Sequence, residues 1–185
     1  SVASDRVDSM MQELVRRAEQ IRNGSVDPSE DNMLKITNEA RLLGTDPRLI
    51  DPDAEVDEDG KLYQAAENIY QEYVASQDFK GTQVVFSDIG TPTGKKGFNV
   101  YDFLKGELIK KGIPRDEIAF IHDAKNDKQK EELFADMRSG RKRILIGSTS
   151  MMGTGTNIQK RLCAAHHIDC PWKPSDIERA PVKAS

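Results

Sequence analysis

The chain has 185 residues, a formal net charge of −4 and 37% hydrophobic residues, so it is long and apolar enough to bury a core of its own. Its two cysteines are too few for a disulfide framework, no apolar run approaches a membrane span, and residues 1–20 lack the apolar centre of a signal peptide. These features exclude a disulfide-stapled secreted domain. They predict one cytoplasmic globular domain with an appendage and no membrane partner.

Two amphipathic helices are predicted in the first 50 residues. Residues 8–23 carry apolar side chains at helical spacing, and Asn23 followed by Gly24 is typical of a helix C-terminus. A second helix is predicted to begin at Asp27. There an N-capping side chain is followed by Pro28 at the first helical position and by Glu30 three residues after the cap.

An acidic stretch at 51–60 follows these helices. It holds six acids in a turn-rich context, and their mutual repulsion predicts a solvated linker. An EF-hand calcium loop is the alternative, but the glycine and the terminal glutamate of such a loop are missing at the required positions. Apolar residues at helical spacing resume at 61–79, and we expect this helix to pack on a sheet. Residues 1–80 are therefore predicted to be a helical extension.

Strand-like and helical segments alternate in the rest of the chain. Apolar runs of strand length lie at 82–88, 117–122, 144–147 and 163–169, and a helix is predicted at 127–137. This alternation is typical of a parallel sheet with right-handed crossovers. The sequence thus predicts an α/β fold, a three-layer parallel sheet flanked by helices, over residues 81–185.

A loop of small residues joins the last two of these strands. Gly153 and Gly155 allow a sharp turn and a close approach of the backbone to a ligand. Hydroxyl and amide groups that bond phosphate oxygens are offered by Thr154, Thr156 and Asn157. An ordinary polar turn is the alternative, because short glycine patterns recur by chance.

The residues after this loop make the prediction of a ligand-binding loop more specific. Gly155, Thr156 and Asn157 precede an apolar strand that ends in Asp169, and Trp172 follows after a short gap. In this order the segment resembles motif V of superfamily 2 helicases and of Swi/Snf-type translocases. It is still more similar to the helicase-like region of large proteins of mobile elements that also carry an adenine-specific DNA methylase. The matching stretches are GTGTN, QKRL, HH and PWKPSDIE.

This resemblance implies the second RecA-like lobe of a DNA helicase or translocase. In such proteins ATP and Mg²⁺ lie between two lobes, and the first lobe supplies the phosphate loop and the magnesium carboxylate. The resemblance therefore implies no catalytic residue in this chain and no activity alone, with the first lobe and DNA as partners. The nucleotide-binding residues that it implies are Gly153, Thr154, Gly155, Thr156 and Asn157.

The match ends within motif VI. Residues 176–178 fit the start of that motif, whereas residues 179–181 depart from it and no Gly-Arg pair follows. Either the chain is cut within the motif or it is a degenerate copy of the lobe. In both cases we expect the arginine finger to be absent.

Charge is distributed unevenly along the chain. Residues 1–140 carry 19 lysines and arginines against 28 acids, whereas residues 141–179 carry seven against three. A basic segment in an acidic protein is where a polyanion is expected to bind. The predicted nucleic-acid contacts are Arg141, Lys142, Arg143, Thr149, Lys160 and Arg161.

Two other ligand motifs are disfavoured by spacing. Residues 90–95 resemble a phosphate-binding P-loop, but the glycines are too close together and Lys96 replaces the Ser or Thr that binds magnesium. A zinc site is disfavoured because strand alternation separates its candidate ligands. Those ligands are Cys163, His166, His167 and Cys170.

Two functions from other classes remain open at this point. One is a noncatalytic nucleic-acid or protein binding module with a degenerate helicase fold. The other is a standalone nucleotide-binding regulator. A hydrolase is not a further alternative, because no serine or cysteine nucleophile accompanies His122 and Asp123.

Overall fold

The structure, a computed structural model, describes residues 2–56, 58–94, 96–153, 157–169 and 177–178. The predicted ligand residues Thr154, Gly155 and Thr156 lie outside the described residues, as do residues 170–176 and 179–185. The chain forms two compact units, Ser1–Lys61 and Leu62–Ser185. The helix predicted at 61–79 therefore belongs to the same unit as the strands, whereas the sequence placed it in the helical extension.

The first unit is helical. Helix α1 spans Val2–Arg22 and α2 spans Met33–Thr45, followed by a 3₁₀ turn at Pro47–Leu49. Both helices contribute to one small apolar core, because each presents an apolar stripe to the other. The buried members of this core are Leu14, Ile36 and Leu43.

Helix α2 begins six residues later than Asp27, so the predicted start is wrong. The carboxylate of Asp27 caps a turn instead, accepting hydrogen bonds from the backbone N–H of Ser29 at 2.8 Å and from its hydroxyl at 2.7 Å. The N-cap of α2 is Asn32, whose side-chain oxygen accepts from the backbone N–H of Lys35 at 3.0 Å. Both turns use the same capping chemistry, but only the second is followed by a helix.

The second unit is an α/β sheet. Its elements are α3 (Lys61–Ala75), β1 (Thr82–Phe86), α4 (Val100–Lys111), β2 (Ile118–Phe120), α5 (Asp127–Ser139), β3 (Ile144–Gly147), α6 (Thr149–Met152), β4 (Leu162–His167) and β5 (Ile177–Glu178). The strand order is β2-β3-β1-β4-β5. Strands β1 to β4 are parallel, and the two-residue β5 pairs antiparallel with β4.

Helices cover both faces of this sheet. The face under α5 is a buried cluster that includes Val84, Ala119, Phe134, Met137 and Leu145. On the opposite face, the side chain of Gln83 in β1 donates to the carbonyl of Ile69 in α3 at 2.8 Å. On that face also, the rings of Tyr101 in α4 and Phe120 in β2 lie 5.5 Å apart. The predicted α/β, RecA-like arrangement, a parallel sheet flanked by helices with an N-terminal helical region, is confirmed.

Most of the strands and helices differ from their predicted bounds at one end or at both. Strand β3 has its predicted bounds, β1 ends two residues early, and α5 continues two residues further. The helix predicted at 61–79 ends at Ala75, and a 3₁₀ turn at Gln77–Phe79 follows. No helix among the described residues combines the length and the apolarity needed to cross a bilayer.

Candidate functional site at the carboxyl edge of the sheet

Polar side chains from three parallel strands meet at the carboxyl edge of the sheet. Asp88 follows β1, Thr149 follows β3 and Asp169 follows β4. The carboxyl edge is where open α/β sheets bind ligands, because the loops that leave neighbouring strands converge there. Of these three residues the sequence predicted only Thr149 as a contact. The missed signal is that each aspartate directly follows a strand-length apolar run.

The two aspartates hold the edge together through hydrogen bonds. One carboxylate oxygen of Asp88 accepts from the backbone N–H of Thr149 at 2.7 Å, and the other accepts from its hydroxyl at 3.0 Å. Asp169 accepts from the backbone N–H of Asp88 at 2.8 Å and from the hydroxyl of Ser87 at 3.1 Å. These bonds connect the ends of β1, β3 and β4, and so they fix the position from which the loop after β3 starts.

The connection from β3 to that loop is a single helical turn, α6. The hydroxyl of Ser148 caps this turn by accepting from the backbone N–H of Met151 at 3.3 Å. The turn packs tightly on the end of β3. A Cβ added to Gly147 would lie 2.6 Å from Ile121 and 2.9 Å from the sulfur of Met152. A side chain at position 147 is therefore excluded, and α6 sits directly against the strand.

Gly153 ends this turn and begins the predicted nucleotide loop. Its φ of +62° is in the left-handed region that favours glycine, and the residue is exposed. The ammonium group of Lys130 lies 3.8 Å from the position that a Cβ on Gly153 would take. A cation from α5 thus stands beside the start of the loop. No sequence pattern indicates this role of Lys130, because its proximity to Gly153 is created by folding.

Asn157, at the far end of the loop, is anchored by its backbone. Its carbonyl accepts from the guanidinium of Arg138 at 2.9 Å, while the residue itself is exposed. The next residue, Ile158, is buried in the cluster under α5. Both ends of the loop are therefore fixed, and the Asn157 side chain is open to a ligand.

The predicted nucleic-acid residues do not form one surface around this loop. Arg141, Lys142 and Arg143 precede β3, and Lys160 and Arg161 precede β4. These five residues lie at the amino edge of the parallel sheet, because they come just before strands whose carboxyl ends carry the loop. Thr149 lies at the carboxyl edge. The structure thus separates Thr149 from the basic residues by the length of a strand.

Arg143 is a structural residue, and this corrects the predicted nucleic-acid surface. Its side chain is 2% exposed. The guanidinium donates to the carbonyls of Gly81 at 2.6 Å and Tyr73 at 2.9 Å, and to the side-chain oxygen of Gln77 at 2.7 Å. It also lies 4.0 Å from the centre of the Tyr73 ring. Burial lowers the pKa of Arg143 from its usual value, and no surface of this side chain is left for a phosphate.

The other basic residues at this edge differ in exposure. Arg161 is half-buried and donates to the carbonyls of Phe79 at 2.6 Å and Arg138 at 3.0 Å. Lys142 donates to the carbonyl of Asp116 at 2.5 Å. Arg141, whose side chain is 76% exposed, and Lys160 are open to solvent. Arg141 and Lys160 are therefore the two of the five that are most accessible to a polyanion.

The residues weighed as zinc ligands, and disfavoured as such, make core contacts where the structure describes them; Cys170 lies outside the described residues. Cys163 is buried with its thiol 3.3 Å from the carbonyl of Thr82, and burial raises the pKa of that thiol. His166 is hydrogen-bonded through Nε2 to the side-chain oxygen of Gln83 at 2.7 Å. The ring of His167 stacks on Phe86 with the centres 5.1 Å apart. In the part of the chain that the structure describes, no three His, Cys, Asp or Glu side chains are grouped as metal ligands.

The site is thus a carboxyl edge held by hydrogen bonds, where the two described ends of the loop, Gly153 and Asn157, are exposed and the ammonium group of Lys130 lies beside the first. Such an arrangement can bind an anionic ligand through backbone N–H groups and the Lys130 ammonium. The chain was compared with protein-family models, with curated proteins and with solved structures, and none of the three comparisons found a match.

Proposed function

We propose that this chain is the second ATPase lobe of a DNA helicase or translocase, and that loop 153–157 contributes to an ATP site shared with a first lobe. The observation that carries the proposal is the position of this loop. It leaves the carboxyl end of a central parallel strand, beside a bracing network built from β1 and β4. In open α/β sheets this is the place of the ligand site.

The residues around the loop fit a phosphate. Gly153 is exposed with a positive φ, so its backbone can approach a ligand closely. Lys130 supplies a positive charge next to it. Asn157 adds an amide that can donate to a phosphate oxygen. On this proposal, Gly153 to Asn157 hold the terminal phosphates of ATP, and Lys130 balances their charge.

ATP hydrolysis supplies the free energy for closing and opening the two lobes. The chain's own part is to position the loop. Asp88 and Thr149 fix its start, and Arg138 fixes its end, so contact with a phosphate would be transmitted to both sides of the loop. Magnesium would be held mainly by carboxylates of the first lobe, as the resemblance implies. The chain alone is therefore proposed to be inactive.

The proposed nucleic-acid surface contains fewer residues than the six predicted from the sequence. Thr149 stays as a backbone contact near the loop, and Arg141 and Lys160 stay as accessible cations at the opposite edge. Lys142 and Arg161 are retained as weaker contacts, because their polar groups already bond carbonyls. Arg143 is not part of the proposed surface.

Fluorescence anisotropy with labelled single- and double-stranded DNA at rising salt tests this surface. Each phosphate contact changes the slope of log K against log salt by about one. The double variant Arg141→Glu/Lys160→Glu should therefore weaken binding and flatten the slope by about two. The control is Lys110→Glu, a lysine whose side chain is 75% exposed on α4. Tight binding that salt does not weaken, or an equal effect of the control, would contradict the proposal.

A further inference from the structure

A groove of about 820 Å³ runs along β2, the outermost strand of the sheet. Its floor is the strand itself, Ile118–Phe120. Helix α4 contributes Lys105 to one wall, and helix α5 contributes Glu132 and Asp136 to the other. The groove lies entirely within the second unit and on a different edge from the loop at 153–157.

On the side away from β3, strand β2 has no neighbouring strand among the described residues. Within the described ranges, β2 pairs with β3 alone. An edge strand presents backbone N–H and C=O groups that another extended chain can pair with. Neither α4 nor α5 covers this edge, because the groove opens between them. The geometry is therefore that of a sheet that can accept one more strand.

The two walls of the groove carry different charges. On the α5 wall, Glu132 has no ion pair within the described residues, and Asp136 faces only Arg141 at 3.8 Å. Asp123, also without an ion pair in that part of the chain, adds a carboxylate at the end of β2. On the α4 wall, the ammonium of Lys105 lies 5.2 Å from the centre of the Phe120 ring. At the amino end of β2 the groove is also lined by Arg115, Asp116 and Lys142, and the ammonium of Lys142 donates to the carbonyl of Asp116. The wall along α5 is thus acidic, whereas Lys105 of α4 and the ring of Phe120 in the floor make the other side basic and aromatic.

Because of strand geometry, the difference in charge between the two walls favours a particular sequence in the added strand. Side chains of an added strand point alternately to the two faces of the sheet. One set would face the carboxylates of α5, and the other would face Phe120 and Lys105. The groove therefore fits a segment with positive charges at every second position and apolar residues between them.

We propose that this groove binds an extended, alternately basic segment of a partner protein as an added strand on β2. Two other occupants are disfavoured by charge. A nucleic acid would meet the carboxylates of Glu132, Asp136 and Asp123. A second copy paired edge to edge, about a twofold axis perpendicular to the sheet, would bring two acidic α5 walls onto the same face.

The test is a titration of the full chain with a labelled Lys-Val-Lys-Val-Lys peptide. Two control peptides are used: one with glutamate in place of lysine, and one with the same side chains but N-methylated backbone at alternate residues. We expect binding of the first peptide alone. Amide hydrogen exchange should show that binding protects those amides within 118–120 that do not already bond β3 or Arg115, because only these open groups become paired.

Two variants separate this groove from general electrostatic attraction. Glu132→Gln/Asp136→Asn should weaken peptide binding about fivefold, since two partly screened charge pairs are lost. The matched control is Glu131→Gln. That neighbouring residue is exposed, bonds Arg138 and does not line the groove. Failure of the lysine peptide to bind, equal binding of the N-methylated peptide, or no protection at 118–120 would each overturn the proposal. Concentration-dependent self-association through β2 would also overturn it, in favour of a second copy.

Discussion

At the scale of single residues, the arginines before β3 and β4 hold the chain that follows α3. Arg143 bonds the carbonyls of Tyr73 and Gly81, and Arg161 bonds that of Phe79. The sequence predicted both as phosphate ligands because residue type reports charge and not burial. Only the fold shows that the end of α3 lies against the amino edge of the sheet and uses these guanidinium groups.

Replacing Arg143 by methionine should destabilise the protein without acting on a ligand site. The change removes the guanidinium donor from the buried carbonyl of Gly81 and from the half-buried carbonyl of Tyr73, which costs about 3 kcal/mol in the free energy of unfolding. Chemical denaturation measures this loss. Arg141→Met, at the exposed neighbour, is the control and should change stability little. A stable Arg143→Met variant with lost DNA binding would instead restore the prediction made from the sequence.

His122, after β2, should make stability depend on pH. Burial lowers its pKa, and the ring packs edge-on against Tyr101 with the centres 5.1 Å apart. The unfolded chain then takes up the proton first. Stability is therefore complete above the unfolded pKa of about 6.5 and is lost as the pH falls through the lower folded pKa.

The variant His122→Phe keeps an aromatic ring and removes this titration. Between pH 7 and pH 5 the free energy of unfolding of the variant should fall less than that of the wild type. The difference between the two proteins is taken relative to its value at pH 8. Urea denaturation at each pH gives the values. An identical pH dependence of both proteins would show that His122 is not the group that titrates.

At the scale of elements, tertiary contacts decide which of two capping signals starts α2. Asp27 and Asn32 are both good N-cap residues. The guanidinium of Arg17 in α1 holds Asp31 through two bonds of 2.8 and 2.9 Å. This contact belongs to the turn before α2, and no local pattern between 27 and 33 reports it. The sequence could therefore predict the helix but not its first residue.

Alanine substitution at the two capping residues tests this assignment. Asn32→Ala removes the oxygen that accepts from Lys35 and should destabilise the first unit by about 1 kcal/mol. Asp27→Ala removes only the bonds of a turn and should cost less. Thermal unfolding followed by circular dichroism, with amide exchange at residue 35, measures both. The reverse order of the two costs would place the helix start at Asp27 after all.

Strands and their order of appearance were predictable because buried parallel strands are short continuous apolar runs. Ile144–Gly147 is the clearest case. The order in which the strands lie side by side in the sheet was not predictable, because β1 pairs with β3 and β4 through contacts between segments far apart in the chain.

At the scale of the whole molecule, the parallel sheet determines how far apart the predicted site residues lie. Gly153, the first residue of the predicted nucleotide loop, follows β3 and α6 at the carboxyl edge. The cations at 141–143 are near this loop in sequence but precede β3. A four-residue strand separates them by about 13 Å, since each residue advances about 3.3 Å.

The central proposal is that this chain works as the second lobe of an ATP-driven DNA motor. Its most direct test is steady-state ATP hydrolysis, measured with and without DNA, for the chain alone and for the two-lobe parent protein that the proposal implies. The parent is compared with its folded variants Gly155→Val and Asn157→Ala. Asn38→Ala, at an exposed position of α2, is the control.

We predict no turnover by the chain alone, because on this proposal it lacks the phosphate loop, the magnesium carboxylate and the arginine finger that hydrolysis needs. In the parent, Asn157→Ala should lower DNA-stimulated hydrolysis more than basal nucleotide affinity, Gly155→Val should lower both, and the control should lower neither. Turnover by the chain alone that Thr154→Ala abolishes would contradict the account. So would DNA stimulation that stays unchanged in both loop variants.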